Sequence, residues 1–108
     1  MNGKSVGHGG IEEQDLFTMS AFFKLMGDPT RLRILMELSE GSLCVMNISE
    51  RVGMSQSAIS HQLALLRKAD LLRVTRKGKS VVYSISDEHV RLMLDMAMLH
   101  INEKGCAQ

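Results

Sequence analysis

As far as Lys68 the apolar residues of this chain recur every three to four positions, and between Leu72 and Ile85 they recur every second one. A period near 3.6 marks helices with one buried face, and a period of 2 marks half-buried strands. A chain of 108 residues has room for one domain in which helices come first and a small hairpin follows. Nine Met, no Trp and a single Pro suit a helical core of aliphatic and thioether side chains.

The punctuation sharpens that order. A first helix is expected over residues 11–26, with Leu16, Met19, Phe23 and Met26 on one stripe and Gly27 ending it. Asp28-Pro29 restarts the chain, the carboxylate as N-cap and the ring at the first helical position. The second helix is expected to reach about residue 39 and to bury Leu32, Leu35, Met36 and Leu38, before Glu40-Gly41-Ser42 breaks it. A short third helix over Val45–Val52 stops at Gly53. Ser55 then caps a fourth helix that turns Ile59, Leu63 and Leu66 inward at i, i+4 and i+7.

Two short helices joined by a glycine-containing turn form a helix-turn-helix. Beyond Asp70, Leu72 and Val74 alternate on a first strand, and either Val82 and Ser84 or Val81, Tyr83 and Ile85 on a second. The turn between them is Arg76-Lys77-Gly78-Lys79, where Gly78 can take a positive φ. A last helix is expected over residues 87–103. The fold class is mainly α with a β-hairpin wing, an α+β winged helix-turn-helix of four helices, two strands and a fifth helix. Residues 11–103 make the domain, between an N-terminal tail at 1–10 that carries four glycines and His8, and a C-terminal tail at 104–108.

The net charge of +1 hides an asymmetry. Arg67, Lys68, Arg73, Arg76, Lys77 and Lys79 stand against Asp70 alone, so that window carries +5 and the remainder −4. A local excess of this kind points to a polyanionic partner. The outward positions of the fourth helix (Gln56, Ser57, Ser60, His61, Ala64 and Lys68) are small or hydrogen-bonding and include no acid. Gln and Ser suit base edges and phosphates in a major groove, and Arg76, Lys77 and Lys79 at the hairpin tip suit phosphate or the minor groove. The expected partner is duplex DNA.

The last helix carries Asp87, His89, His100 and Glu103, four side chains able to bind a metal. Eleven helical steps bring His100 back to within roughly 20° of the face of His89, but about 16 Å further along the axis. Metal–ligand bonds are ~2 Å long, so one chain cannot close a site from both ends. Two such helices, antiparallel about a dyad near residues 94–96, bring Asp87 and His89 of one copy to His100 and Glu103 of the other. Two identical sites result, in a homodimer joined through the first and fifth helices, with Met93 and Met96 at the dyad. Two imidazoles and two carboxylates suit tetrahedral Zn(II), with Co(II) as a substitute, and offer nothing soft for Cu(I). Each residue also has a plainer reading, Asp87 above all, since an aspartate at a helix start serves as an N-cap.

These residues resemble a known family. Leu25-Met26-Gly27-Asp28-Pro29-Thr30-Arg31-Leu32-Arg33-Ile34-Leu35, Leu43-Cys44-Val45 and Ser55-Gln56-Ser57-Ala58-Ile59-Ser60-His61-Gln62-Leu63 are similar to stretches of the ArsR/SmtB metalloregulatory repressors. The resemblance covers roughly residues 16 to 103. It implies a cytoplasmic homodimer with a winged helix-turn-helix fold that binds operator DNA when metal-free and releases it when metal binds. It also implies that Asp87, His89, His100 and Glu103 form a zinc-sensing site between subunits, and that the second ring nitrogen of His100 relays the signal. A second family site draws on Cys-Val-Cys in the third helix. Here Cys44 remains, with Met46 in the other cysteine's place and Asn47 where an aspartate often stands.

Two other function classes compete for these residues. A thiol-based sensor of arsenite, cadmium or oxidants on the same fold would use Cys44 and Cys106. An enzyme with an interface zinc is disfavoured, because four protein ligands leave no open position for a substrate water. No small-molecule substrate or membrane segment is expected: nucleophile motif, phosphate loop and long apolar run are all missing from the sequence. Two cysteines make no disulfide framework and fit a reducing compartment.

Overall fold

The computed structural model describes residues 10–104. The tails expected at 1–10 and 104–108, and with them His8 and Cys106, lie outside the described residues except for Gly10 and Lys104. The elements are α1 (Glu13–Met26), α2 (Pro29–Leu38), α3 (Val45–Val52), α4 (Gln56–Lys68), β1 (Leu72–Lys77), β2 (Ser80–Ile85) and α5 (Glu88–Lys104). This is the winged helix-turn-helix order that the periodicity predicts.

Local chemistry sets most of the boundaries. Asp28 accepts a hydrogen bond from the Arg31 backbone N–H at 3.0 Å, with Pro29 at the first helical position. Ser55 does the same for Ala58 at 3.1 Å, opening α4. Gly53 closes α3 in the left-handed region at φ 80°. Gly78 takes φ 63° at the hairpin turn, and Lys77 pairs with Ser80 across it. From that pair the antiparallel register runs back to Leu72 opposite Ile85.

One junction is not of the expected kind. The turn from helix to hairpin is made by Asp70, the one non-glycine residue with positive φ (65°) among the described residues. Its N–H reaches the Arg67 carbonyl at 2.9 Å, and the Leu71 N–H reaches that of Leu66 at 3.0 Å. This pair of bonds is the Schellman closure of a helix, with aspartate tolerated where glycine is usual. Leu66 and Leu71 are both fully buried, so the closure is also an apolar contact.

The core gathers Ile34, Leu35 and Leu38 of α2, Ile48 of α3, Ile59, Leu63 and Leu66 of α4, and Leu71. The expectation for α2 needs correcting. Leu32 is 38% exposed and Ile34 is fully buried, so the inward face lies along 34, 35 and 38. Leu32 faces a groove instead, beside Phe23 and Met96. In α1 only Met26 of the predicted stripe is buried, and Leu16, Met19 and Phe23 are exposed. A short bridge also ties the loop before α3 to the wing: Leu43 N–H to Tyr83 O at 3.0 Å and Tyr83 N–H to Leu43 O at 2.8 Å.

Arg31 joins three helices. Its Nε donates to the Leu25 carbonyl in the last turn of α1 at 2.8 Å, an acceptor the helix itself leaves unpaired. A terminal guanidinium nitrogen donates to Gln62 Oε1 on α4 at 3.2 Å. One half-buried side chain thus ties the end of α1 to the middle of α4.

Arg31→Ala is expected to cost about 1.5–3 kcal/mol, the worth of hydrogen bonds from a charged group, in urea denaturation. At Asp70, replacement by Gly should leave the melting temperature equal or higher. Replacement by Val should cost about 1–2 kcal/mol, because a β-branched residue resists the left-handed region. Thermal melts followed by circular dichroism read the difference between the two variants.

Candidate nucleic-acid interface and metal half-sites

The turn between α3 and α4 is short because Gly53 ends one helix and Ser55 caps the next. Ile59, Leu63 and Leu66 anchor α4 from within, which turns Gln56, Ser57, Ser60 and His61 to the outside, all exposed. The predicted reading face is thus presented as one stripe. Gln62, between these residues, is half-buried and committed to Arg31. Arg76, Lys77 and Lys79 are exposed at the wing tip, and none of them enters an ion pair among the described residues. Arg73, in the same basic window, is held differently: its guanidinium donates to the Ser86 carbonyl.

At the other end of the molecule α5 divides into two parts. Val90 and Leu94 are buried on the domain, and Arg91 donates to the Ser39 carbonyl at the end of α2. That carbonyl lies at a helix C-terminus, where a cation is favoured. Beyond Leu94, every position from Asp95 to Glu103 is exposed, including Met96 at 60%, Leu99 and Ile101. Phe23, Met26, Leu32, Leu92, Met93 and Met96 line an open apolar groove of about 460 Å³ between this helix and the α1–α2 corner.

Asp87 and His89 stand where α5 joins the domain. One Asp87 oxygen, Oδ1, accepts from the Val90 N–H at 3.2 Å and lies 3.5 Å from His89 Nδ1. The capping and ligand readings of Asp87 therefore coexist, since capping engages Oδ1 and leaves Oδ2 available. The helix begins one residue later than expected, at Glu88, with Asp87 as its cap. His100 and Glu103 lie on the exposed second half, one helical turn apart. Among the described residues no three His, Cys, Asp or Glu side chains converge to hold an ion. A pair at each end of one helix fits a metal only as two half-sites.

Cys44 precedes α3, half-buried and with no disulfide partner among the described residues, and its thiol makes no capping hydrogen bond. Met46 and Asn47 beside it are exposed. Sequence reasoning missed Arg31 and Gln62 as a pair and the Leu43–Tyr83 bridge. A partial signal lay in Arg31 itself, a guanidinium three residues after a capping aspartate. Among the described residues no helix is long and apolar enough to cross a membrane.

Comparison with known proteins agrees with this geometry. Residues 28–74 match the model of the arsR family of bacterial regulatory proteins. The chain is 40% identical over 90 residues to the HTH-type transcriptional regulator NmtR of Mycobacterium tuberculosis, covering 83% of this chain and 75% of that protein. It is 35% identical to a Staphylococcus aureus homolog of the cadmium resistance regulatory protein CadC, over 86% of this chain and 78% of the other. The crystal structure of the antimony-specific transcriptional repressor AntR superposes with a TM-score of 0.79 at 33% identity, covering 92% of this chain and 90% of AntR. The reading helix, the basic wing and these relatives together make the chain a member of the ArsR/SmtB family of DNA-binding transcriptional regulators, and not an enzyme.

Proposed function

We propose that this chain is a metal-responsive transcriptional repressor that binds an inverted-repeat operator as a metal-free homodimer in the cytoplasm and is released by Zn(II). The observation that carries the reading is the division of α5. Asp87 and His89 are fixed to the domain through Val90, Leu94 and Arg91, whereas His100 and Glu103 ride on a half that the chain itself does not cover. The exposed apolar residues of α1 and α5, with the groove at Phe23 and Met96, support a second copy as what covers it.

In that dimer Asp87 and His89 of one copy and His100 and Glu103 of the other would hold each ion. Zn(II) there supplies a cross-link of four protein ligands and, with no open position, no hydrolytic chemistry. The domain-fixed pair sets where the domain sits, and the pair on the second copy's α5 sets where that helix sits. Drawing them together changes the spacing of two reading helices that must enter successive major grooves. The second ring nitrogen of His100 is the candidate for passing the change inward, as outer partners of metal-bound histidines often do. Linkage is reciprocal: if zinc weakens DNA binding, DNA weakens zinc binding by the same factor, about 5- to 150-fold for typical couplings.

A second reading, a thiol-based sensor through Cys44 and Cys106, is favoured by the cadmium and antimony named for two relatives. One set of titrations separates the two. His100→Ala should bind DNA like the wild type when metal-free and fail to let go when zinc is added, measured by fluorescence anisotropy. Zinc-driven release that survives in His100→Ala contradicts the proposal. A doubly substituted Cys44→Ser/Cys106→Ser protein should keep its zinc response, and its loss would favour the thiol reading.

A further inference from the structure

Between α4 and the wing lies a cleft of about 380 Å³, lined by Ser60, Leu63, Ala64, Arg67, Lys68 and Tyr83. Its place matters more than its size. Major and minor grooves of a duplex are separated by a sugar–phosphate ridge. A protein that sets a helix in the one and a hairpin tip toward the other receives that ridge in the space between them. The cleft lies between those two elements, lined from α4 on one side and from β2 on the other. Leu63, 1% exposed, forms its floor.

The walls add two hydroxyls, those of Ser60 and Tyr83, to the charge of the basic window. Ser60, Ala64 and Arg67 fall at i, i+4 and i+7 on α4, one flank spanning about 10 Å. Ala64, in the middle, has a side chain too short to fill the cleft. Tyr83 faces them from the point where β2 is tied on both sides, paired with Val74 in β1 and hydrogen-bonded twice to Leu43. A phenol on so fixed a strand is a donor at a set position. Among the described residues Arg31, Arg33, Arg51, Arg73 and Arg91 each have a protein acceptor or ion-pair partner. Arg67 and Lys68, like Arg76, Lys77 and Lys79 at the wing tip, enter none of the ion pairs.

We propose that this cleft is the seat of one DNA backbone phosphodiester, with Arg67 and Lys68 supplying charge and the hydroxyls of Ser60 and Tyr83 donating to the non-bridging oxygens. Such a contact carries no sequence information and sets the register in which Gln56, Ser57 and His61 meet base edges. Of the base edges and phosphates open to Ser60, it selects the phosphate. The inference rests on the DNA-binding reading and assigns it a residue set, Arg67, Lys68 and Tyr83, at the helix–wing junction.

The test uses the full chain, a duplex selected from a random pool by the wild-type protein, and a scrambled duplex of equal length. Phosphates flanking each half-site are replaced one at a time by neutral methylphosphonate. Arg67→Ala should lower the salt dependence of log K by about 0.9, the value for one phosphate, and weaken both duplexes by the same factor. Tyr83→Phe, which keeps the ring and the fold, should weaken both by about two- to tenfold with the salt dependence unchanged. One methylphosphonate position should weaken the wild type and cost Arg67→Ala, which keeps only the Lys68 charge there, distinctly less. Variants as sensitive as the wild type at every position would overturn the cleft while leaving DNA binding intact. Inorganic phosphate bound without DNA, seen by phosphorus NMR and with no methylphosphonate coupling, would make this a free-anion site and also overturn it. A wild-type protein that selects no duplex would instead fail the DNA-binding reading, and the cleft with it.

Discussion

Leu94 is the last buried residue of α5, and the helix continues for ten more positions. Burial on the first half and none on the second means that the chain stabilises only part of its own terminal helix. The rest keeps Met96, Leu99 and Ile101 in water at a cost that a second copy would remove. The same division separates Asp87 and His89 from His100 and Glu103 by more than any ion can bridge within one chain. Oligomer and metal thus become one proposal, because the residues that need covering and the residues that need partners share the same stretch of helix.

How a change at α5 would be felt at the DNA depends on how rigidly the reading head is mounted. Arg31 bonds the end of α1 and the middle of α4 at once, and its backbone N–H is the one that Asp28 caps. Arg91 plays a similar part at the other end, holding the first turns of α5 to the end of α2. Since α1 and α5 carry the exposed apolar faces, a shift between subunits would reach α4 through hydrogen-bonded joints and packed leucines. Interiors packed to that density move as bodies and do not absorb displacements gradually.

Much of this was legible in the residues. The limits of α3 and the start of α4 coincide with the expectation, because Gly53 acts through its own backbone and Ser55 through its side chain on the nearby Ala58 N–H. So does Pro29, whose ring serves the first position of α2. What was not legible depends on partners far away in the chain. Arg31 and Gln62 are thirty-one residues apart, and Leu43 meets Tyr83 through backbone atoms that any residue possesses. Leu32 and Ile34 are equally apolar, so only the docking of α2 decides which is covered. Asp70 hid for another reason: its left-handed turn is a glycine's usual role, filled by one of the few other residues that tolerate it. Of the candidate site, residue types and spacing suggested a grouping, and the structure shows its two pairs apart along one helix.

The most direct measurement mixes two damaged proteins. One carries Asp87→Ala and His89→Ala, the other His100→Ala and Glu103→Ala, and neither homodimer should bind zinc at the proposed site. In a mixed dimer one of the two sites receives all four substitutions and the other none. Equilibrated mixtures should regain one tight zinc per heterodimer, read by isothermal titration or by the visible spectrum of Co(II). Heterodimers that form and still bind no metal, or a parent protein that retains tight binding, would contradict a site shared between subunits.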